Sequence, residues 1–94
     1  MGQITRRLLI SGRVQGVGFR YALCAQARSL GLEGWVRNRS DGSVEALARG
    51  PREAIDALAI WAWQGPPVAR VDRVVVSEAS GGDCGPGFTQ RPTL

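Results

Sequence analysis

Glycine- and proline-rich breakers cut this chain into short pieces, and the hydrophobic period switches between two and about 3.6 residues from piece to piece. That alternation limits the folds open to it. Thr5–Ser11 reads as a strand, with Leu8 and Ile10 on one side and Leu9 on the other. A glycine-rich stretch follows, Gly12-Arg13-Val14-Gln15-Gly16-Val17-Gly18-Phe19-Arg20. From about Arg20 to Leu30 the spacing of Leu23, Ala27 and Leu30 is helical, and Gly31 supplies a C-terminal stop. Gly34–Arg39 and Ser43–Arg49 are short strands flanking Ser40-Asp41-Gly42, a hairpin signal.

The second half repeats the pattern. Gly50 and Pro51 suit a helix cap and first helical position, and Glu53 in the first turn complements the dipole. Ala54, Leu58 and Trp61 form the apolar stripe, with Ile55 and Ala62 beside it, and Gly65-Pro66-Pro67 ends the helix. Val68–Glu78 is rich in β-branched residues and reads as the longest strand. Residues 80–87 form a glycine-rich loop, and 88–94 a short edge strand or tail, with Pro92 keeping Phe88–Gln90 at a sheet edge. Strand, helix, strand, strand, helix, strand fits an α+β fold, a ferredoxin-like α/β sandwich (βαββαβ). Its sheet is expected to be mostly antiparallel with two helices on one face, and residues 1–94 to form a single domain. Many unrelated functions use this fold, so topology settles nothing about activity.

Two absences exclude more chemistry than anything present. The 94 residues contain no histidine and no lysine; all twelve basic residues are arginine. Ser-His-Asp triads, Cys-His pairs, His-ligated metals, Schiff bases and the lysine of a P-loop are therefore impossible. Cys24 and Cys84 are too few and too distant for a zinc site, and read as a small helix residue and a loop thiol. No metal and no cofactor is expected. The formal net charge of +4 points to an anionic partner. No apolar run approaches the roughly 18–20 residues of a membrane span, and the N-terminus lacks the apolar stretch of a secretory signal. Arg6 stands where myristoylation requires Ser or Thr. Cytoplasmic residence is the expectation, and a monomer the expected state.

Residues 12–20 match neither common nucleotide loop. A dinucleotide fingerprint needs glycine where Tyr21 stands, and a Walker A loop needs the missing lysine. What survives is a cradle in which Gly16 and Gly18 aim successive N–H groups into a nest at a helix start, a site for an anion of phosphate size. Arg20 sharpens it. A cation in the first helical turn sits at the wrong end of the dipole, an unfavourable placement of roughly 0.3–1 kcal/mol. Its side chain leans back over the loop, where a bound oxyanion would make both arrangements favourable. The competing view is a plain turn followed by a surface arginine. Asn38, at a strand end, is either a turn former before Asp41-Gly42 or an amide that orients water, with Arg37 and Arg39 adding positive potential nearby.

The loop sequence Gly12–Arg20 closely resembles the signature loop of the acylphosphatase family. The stretch Gly31-Leu32-Glu33-Gly34-Trp35-Val36-Arg37-Asn38, followed by Asp41-Gly42-Ser43-Val44-Glu45, resembles that family's second signature. Gly65–Val71 is similar to its approach to the fourth strand, so the resemblance covers about residues 5–78. It implies a ferredoxin-like fold and metal-free hydrolysis of the carboxyl-phosphate bond of acyl phosphates, with inorganic phosphate as product and competitive inhibitor. By the same resemblance Arg20 is the phosphate-binding arginine. The backbone amides of Gln15, Gly16, Val17, Gly18 and Phe19 are the cradle, and Asn38 positions the attacking water. Similar short domains also occur at the front of large maturation enzymes; at ninety-four residues the expectation is a stand-alone domain. The alternative is a non-catalytic anion- or RNA-binding domain of the same fold. Nucleic acid is disfavoured because Val44–Ala48, where an RNA-recognition strand would carry stacking aromatics, has none.

Overall fold

The computed structural model describes residues 2–80 and 84–94. Its elements are β1 (Ile4–Arg13), α1 (Phe19–Ser29), β2 (Glu33–Asn38), β3 (Val44–Gly50), α2 (Arg52–Gln64), β4 (Arg70–Glu78) and β5 (Phe88–Gln90). The sheet runs β4-β1-β3-β2-β5. All pairings are antiparallel except β2 with β5, which is parallel. This is the ferredoxin-like sandwich, with a fifth strand added beside β2. Among the described residues no helix is long and apolar enough to cross a membrane.

Strand alternation divides the sheet into two unlike faces. Leu8, Ile10, Val36, Val44, Ala46 and Ala48 point to one side and pack in one buried cluster. Phe19, Leu23, Cys24 and Ala27 of α1, Ile55, Leu58 and Ala62 of α2, and Val14, Leu32 and Phe88 complete that cluster. On the other face Trp35, Leu47 and Cys84 form a second, smaller one. The glycine-rich stretch 80–87 reaches Cys84 there; its residues 81–83 lie outside the described part.

Several sequence-derived boundaries shift for identifiable reasons. β1, not the fourth strand, is the longest: it has ten residues against nine in β4. A bulge between Ser11 and Gly12 carries it on to Arg13, so the loop starts at Val14 rather than Gly12. Conversely, a turn closed by Ala69 N–H donating to Pro66 C=O (3.0 Å) holds Val68 out of β4. α2 begins one residue later than the Gly-Pro signal implied, with Pro51 as cap and Gly50 ending β3. Its buried stripe is Ile55, Leu58 and Ala62, with Ala54 and Trp61 at the margin. Trp61 still packs, its ring 5.6 Å from that of Phe19. Trp63, the residue after Ala62, points off that stripe and is half exposed.

The open face is organised by one carboxylate. Glu45, 4% exposed, sits in central β3 and accepts from Arg7 Nε, Arg37 Nε (2.9 Å) and Arg39 (3.1 Å). Burial works to raise its pKa, but the guanidiniums of Arg7 and Arg37 outweigh it and hold the carboxyl below the usual glutamate value. A depressed folded-state pKa contributes stability above the unfolded pKa of about 4.3, lost as pH falls through the folded value. Thermal melts should therefore show stability declining below about pH 4.3. Glu45→Gln should cost about 2–3 kcal/mol at pH 7, less than a fully buried pair because its partners are partly solvated. It should also flatten that acid decline; an unchanged melting temperature would remove Glu45 from the account.

Candidate active site

The loop between β1 and α1 is pinned at both ends. Val14 and Phe19 are each 1% exposed, and Val17 between them packs against the core. With these apolar side chains turned inward, the backbone at Gly16 (φ 73°) and Gly18 (φ 80°) must enter the left-handed region, which glycine adopts readily. Gly18 is the residue before α1 and brings no side-chain cap, and the first turn carries no acid. The first N–H groups of α1 therefore have no intrahelical acceptor. Nor do the N–H groups of residues 15–18 donate to any carbonyl among the described residues.

Arg20 lies in that first turn. Four arginines of the sheet are ion-paired, Arg7, Arg37 and Arg39 with Glu45 and Arg49 with Glu33, whereas Arg6, Arg13, Arg70 and Arg73 on its strands have no carboxylate partner among the described residues. Arg20 has no carboxylate partner among the described residues. It lines a small cleft of about 120 Å³ together with Val14, Gly16, Gly18, Phe19, Tyr21, Asn38 and Gln90. That volume is well below the roughly 300–1,000 Å³ of sites for drug-sized molecules. Free N–H donors, a helix N-terminus and an unpaired guanidinium around so small a space suit a compact oxyanion.

Asn38 ends β2 on the helix-covered face, and its Oδ1 is buried without a hydrogen-bond partner among the described residues. An orphaned acceptor costs on the order of 1–3 kcal/mol, a debt relieved by any donor that enters the cleft. The turn does not need this side chain. Gly42 N–H donates to Arg39 C=O (3.1 Å), and the N–H and hydroxyl of Ser43 both donate to Asp41 Oδ1 (2.9 and 2.6 Å). Those two bonds hold the Asp41 carboxyl below its usual range. Asn38 is thus left to the cleft, not consumed by the hairpin.

Of the sequence-derived site residues, Gly16, Gly18, Phe19, Arg20 and Asn38 line one cleft. The side chains of Gln15 and Val17 turn away from it, Val17 to the core and the Gln15 side-chain amide to the hairpin, while the expectation for these two residues concerned their main-chain N–H groups. Arg37 and Arg39 were expected to add positive potential beside Asn38. Alternation puts them on the opposite face instead, where Glu45 holds both. Tyr21 and Gln90 line the cleft unforeseen. Tyr21 was readable as the neighbour of Arg20 in the first helical turn. Gln90 gave no local signal, since only the parallel pairing of β5 with β2, Val36 opposite Gln90, brings it there.

The family model described as Acylphosphatase matches residues 6–89. A protein from Acidovorax sp. named acylphosphatase is 56% identical over 91 residues, 97% of this chain and 93% of the relative. An acylphosphatase from Coxiella burnetii superimposes with a TM-score of 0.90 at 40% identity, covering 96% of this chain and 94% of that one. The Bacillus subtilis acylphosphatase gives 0.88 at 38% identity, covering 94% and 98%. With a model spanning nearly the whole sequence, a relative above half identity and two solved structures of the same shape, this chain belongs to the acylphosphatase family.

Proposed function

We propose that this protein hydrolyses acyl phosphates, with Arg20 and the loop amides holding the phosphoryl group and Asn38 holding the water. One observation carries this reading: unpaired donors and an unpaired guanidinium face an orphaned amide oxygen across one small cleft. The donors match the phosphoryl oxygens, and the amide oxygen matches a water hydrogen.

The chemistry asks for little more. Water oxygen bonds to phosphorus as the bond from phosphorus to the acyl oxygen breaks, and the carboxylate leaves with the electron pair. A carboxylate with a pKa near 4 departs without a general acid, which fits a chain lacking histidine. A loose transition state spreads charge over the equatorial oxygens, where a planar guanidinium and fixed N–H groups stabilise it most. A phosphoryl oxygen of the substrate accepts the proton of the water. The substrate is a small-molecule acyl phosphate, inorganic phosphate is both product and competitive inhibitor, and the working form is a cytoplasmic monomer. Trp35, on the open sheet face, is 8% exposed beneath Arg37 and Arg91, so that face offers no free ring for base stacking.

Steady-state assays with benzoyl phosphate beside a phosphomonoester test this directly, the former being cleaved selectively. Arg20→Ala should abolish turnover with the melting temperature retained, and Arg20→Lys should lose at least tenfold because a point charge cannot replace the fork. Near-native turnover in Arg20→Ala would remove Arg20 from the mechanism. Asn38→Ala should lower kcat by about 10²–10³, the scale for one transition-state hydrogen-bonding side chain, while the inhibition constant of inorganic phosphate stays within a few-fold. Equal losses in both would make Asn38 structural.

A further inference from the structure

The two halves of the site come from strands that do not touch. The anion loop follows β1 and Asn38 ends β2, and β3 lies between them in the sheet. Ile10 and Asn38 both lie opposite Val44 of β3, so the sheet registers the two strands, but the loop that follows β1 has no ladder of its own to hold it against the hairpin. Among the described residues, the Gln15 side chain crosses the gap by hydrogen bonds. The amide nitrogen of Gln15 donates to Arg39 C=O (2.7 Å) and to Ser43 C=O (2.9 Å), the two ends of the turn that follows Asn38. Both hydrogens of its NH2 group are used, one on each carbonyl.

Those carbonyls are already engaged in the turn, Arg39 C=O by Gly42 N–H (3.1 Å) and Ser43 C=O by Arg39 N–H (2.9 Å). The hairpin closes without Gln15, so the side chain is not what folds it. The loop likewise keeps its shape through Val14, Phe19 and its two glycines. What Gln15 adds is the distance between the two.

Resting on the acyl phosphate reading above, we propose that Gln15 is a positioning residue whose side chain sets the separation between the bound phosphoryl group and the water on Asn38. In-line attack requires reacting atoms about 3–3.5 Å apart, and a 1 Å misplacement can cost about 10²-fold in rate. Glutamine suits the task because its terminal amide presents two hydrogens in one plane at this reach; asparagine is a methylene shorter and methionine has no donor.

Gln15→Met should lower kcat ten- to hundredfold while the inhibition constant of inorganic phosphate changes less than about threefold, and the melting temperature should fall only a few degrees. In Gln15→Glu an ionised carboxylate would face two carbonyl oxygens, which repel it and raise its pKa. Only the protonated form can donate. That variant should show activity falling as pH rises through the raised pKa, a limb missing from the parent. A readout independent of turnover is the response of backbone amide resonances to added inorganic phosphate. In the parent both the loop and residues 39–43 should shift; in Gln15→Met the loop alone. A Gln15→Met enzyme with kcat within twofold of the parent, or a hairpin that still responds to phosphate, would overturn the proposal. Failure of the parent to cleave any acyl phosphate would instead count against the proposed function, with the amide responses still deciding whether Gln15 couples loop to hairpin.

Discussion

A positive charge without a counter-charge is the constraint around which this site is built. Arg20 stands at the positive end of α1, beside a loop whose N–H groups have no acceptor among the described residues. In an ordinary surface helix an Asp or Ser would occupy the cap and a carboxylate would pair the arginine. Here glycine stands at the cap and no acid lies in the first turn. The fold forgoes that local stabilisation, and under the proposed function an oxyanion bound in the cleft would restore it. The orphaned Asn38 oxygen extends the same logic to a water molecule.

The sheet makes this affordable by keeping other charges away. Alternation along β2 sends Val36 and Asn38 to the helix side and Trp35 and Arg37 to the other. Glu45 collects Arg37 and Arg39 there, along with Arg7 from β1. The two residues flanking Asn38 are thus anchored on the far side of the sheet, which directs the asparagine toward the cleft. Leu94 N–H donating to Asn38 C=O (3.1 Å) and Arg91 N–H to Val36 C=O (2.8 Å) support the same strand along its outer edge.

Much of this was legible in the residues. Breakers and periodicity gave the element order, because glycine, proline and β-branched residues act locally. The glycine loop and Arg20 were legible because a cation at a helix start is a local anomaly. Pairwise long-range facts were not. Gln90 reaches the cleft through a parallel pairing, and Arg37 and Arg39 leave it because Glu45 lies opposite on β3. Neither appears in a window of neighbouring residues. β4 misled in another way: its β-branched run read as the longest strand, yet β1 is longer and β4 is a sheet edge with Val75 and Val76 more than 40% exposed. β propensity reports fit to a pleated surface, not depth.

The central claim is that main-chain donors and one guanidinium jointly enclose an oxyanion, and a crystal grown with inorganic phosphate tests it most directly. The account predicts phosphate oxygens about 2.7–3.1 Å from N–H groups of the Gln15–Phe19 loop, with Arg20 forked onto the same ion and Asn38 on its far side. Phosphate bound elsewhere, with the loop donors turned away and Arg20 extended into solvent, would contradict it.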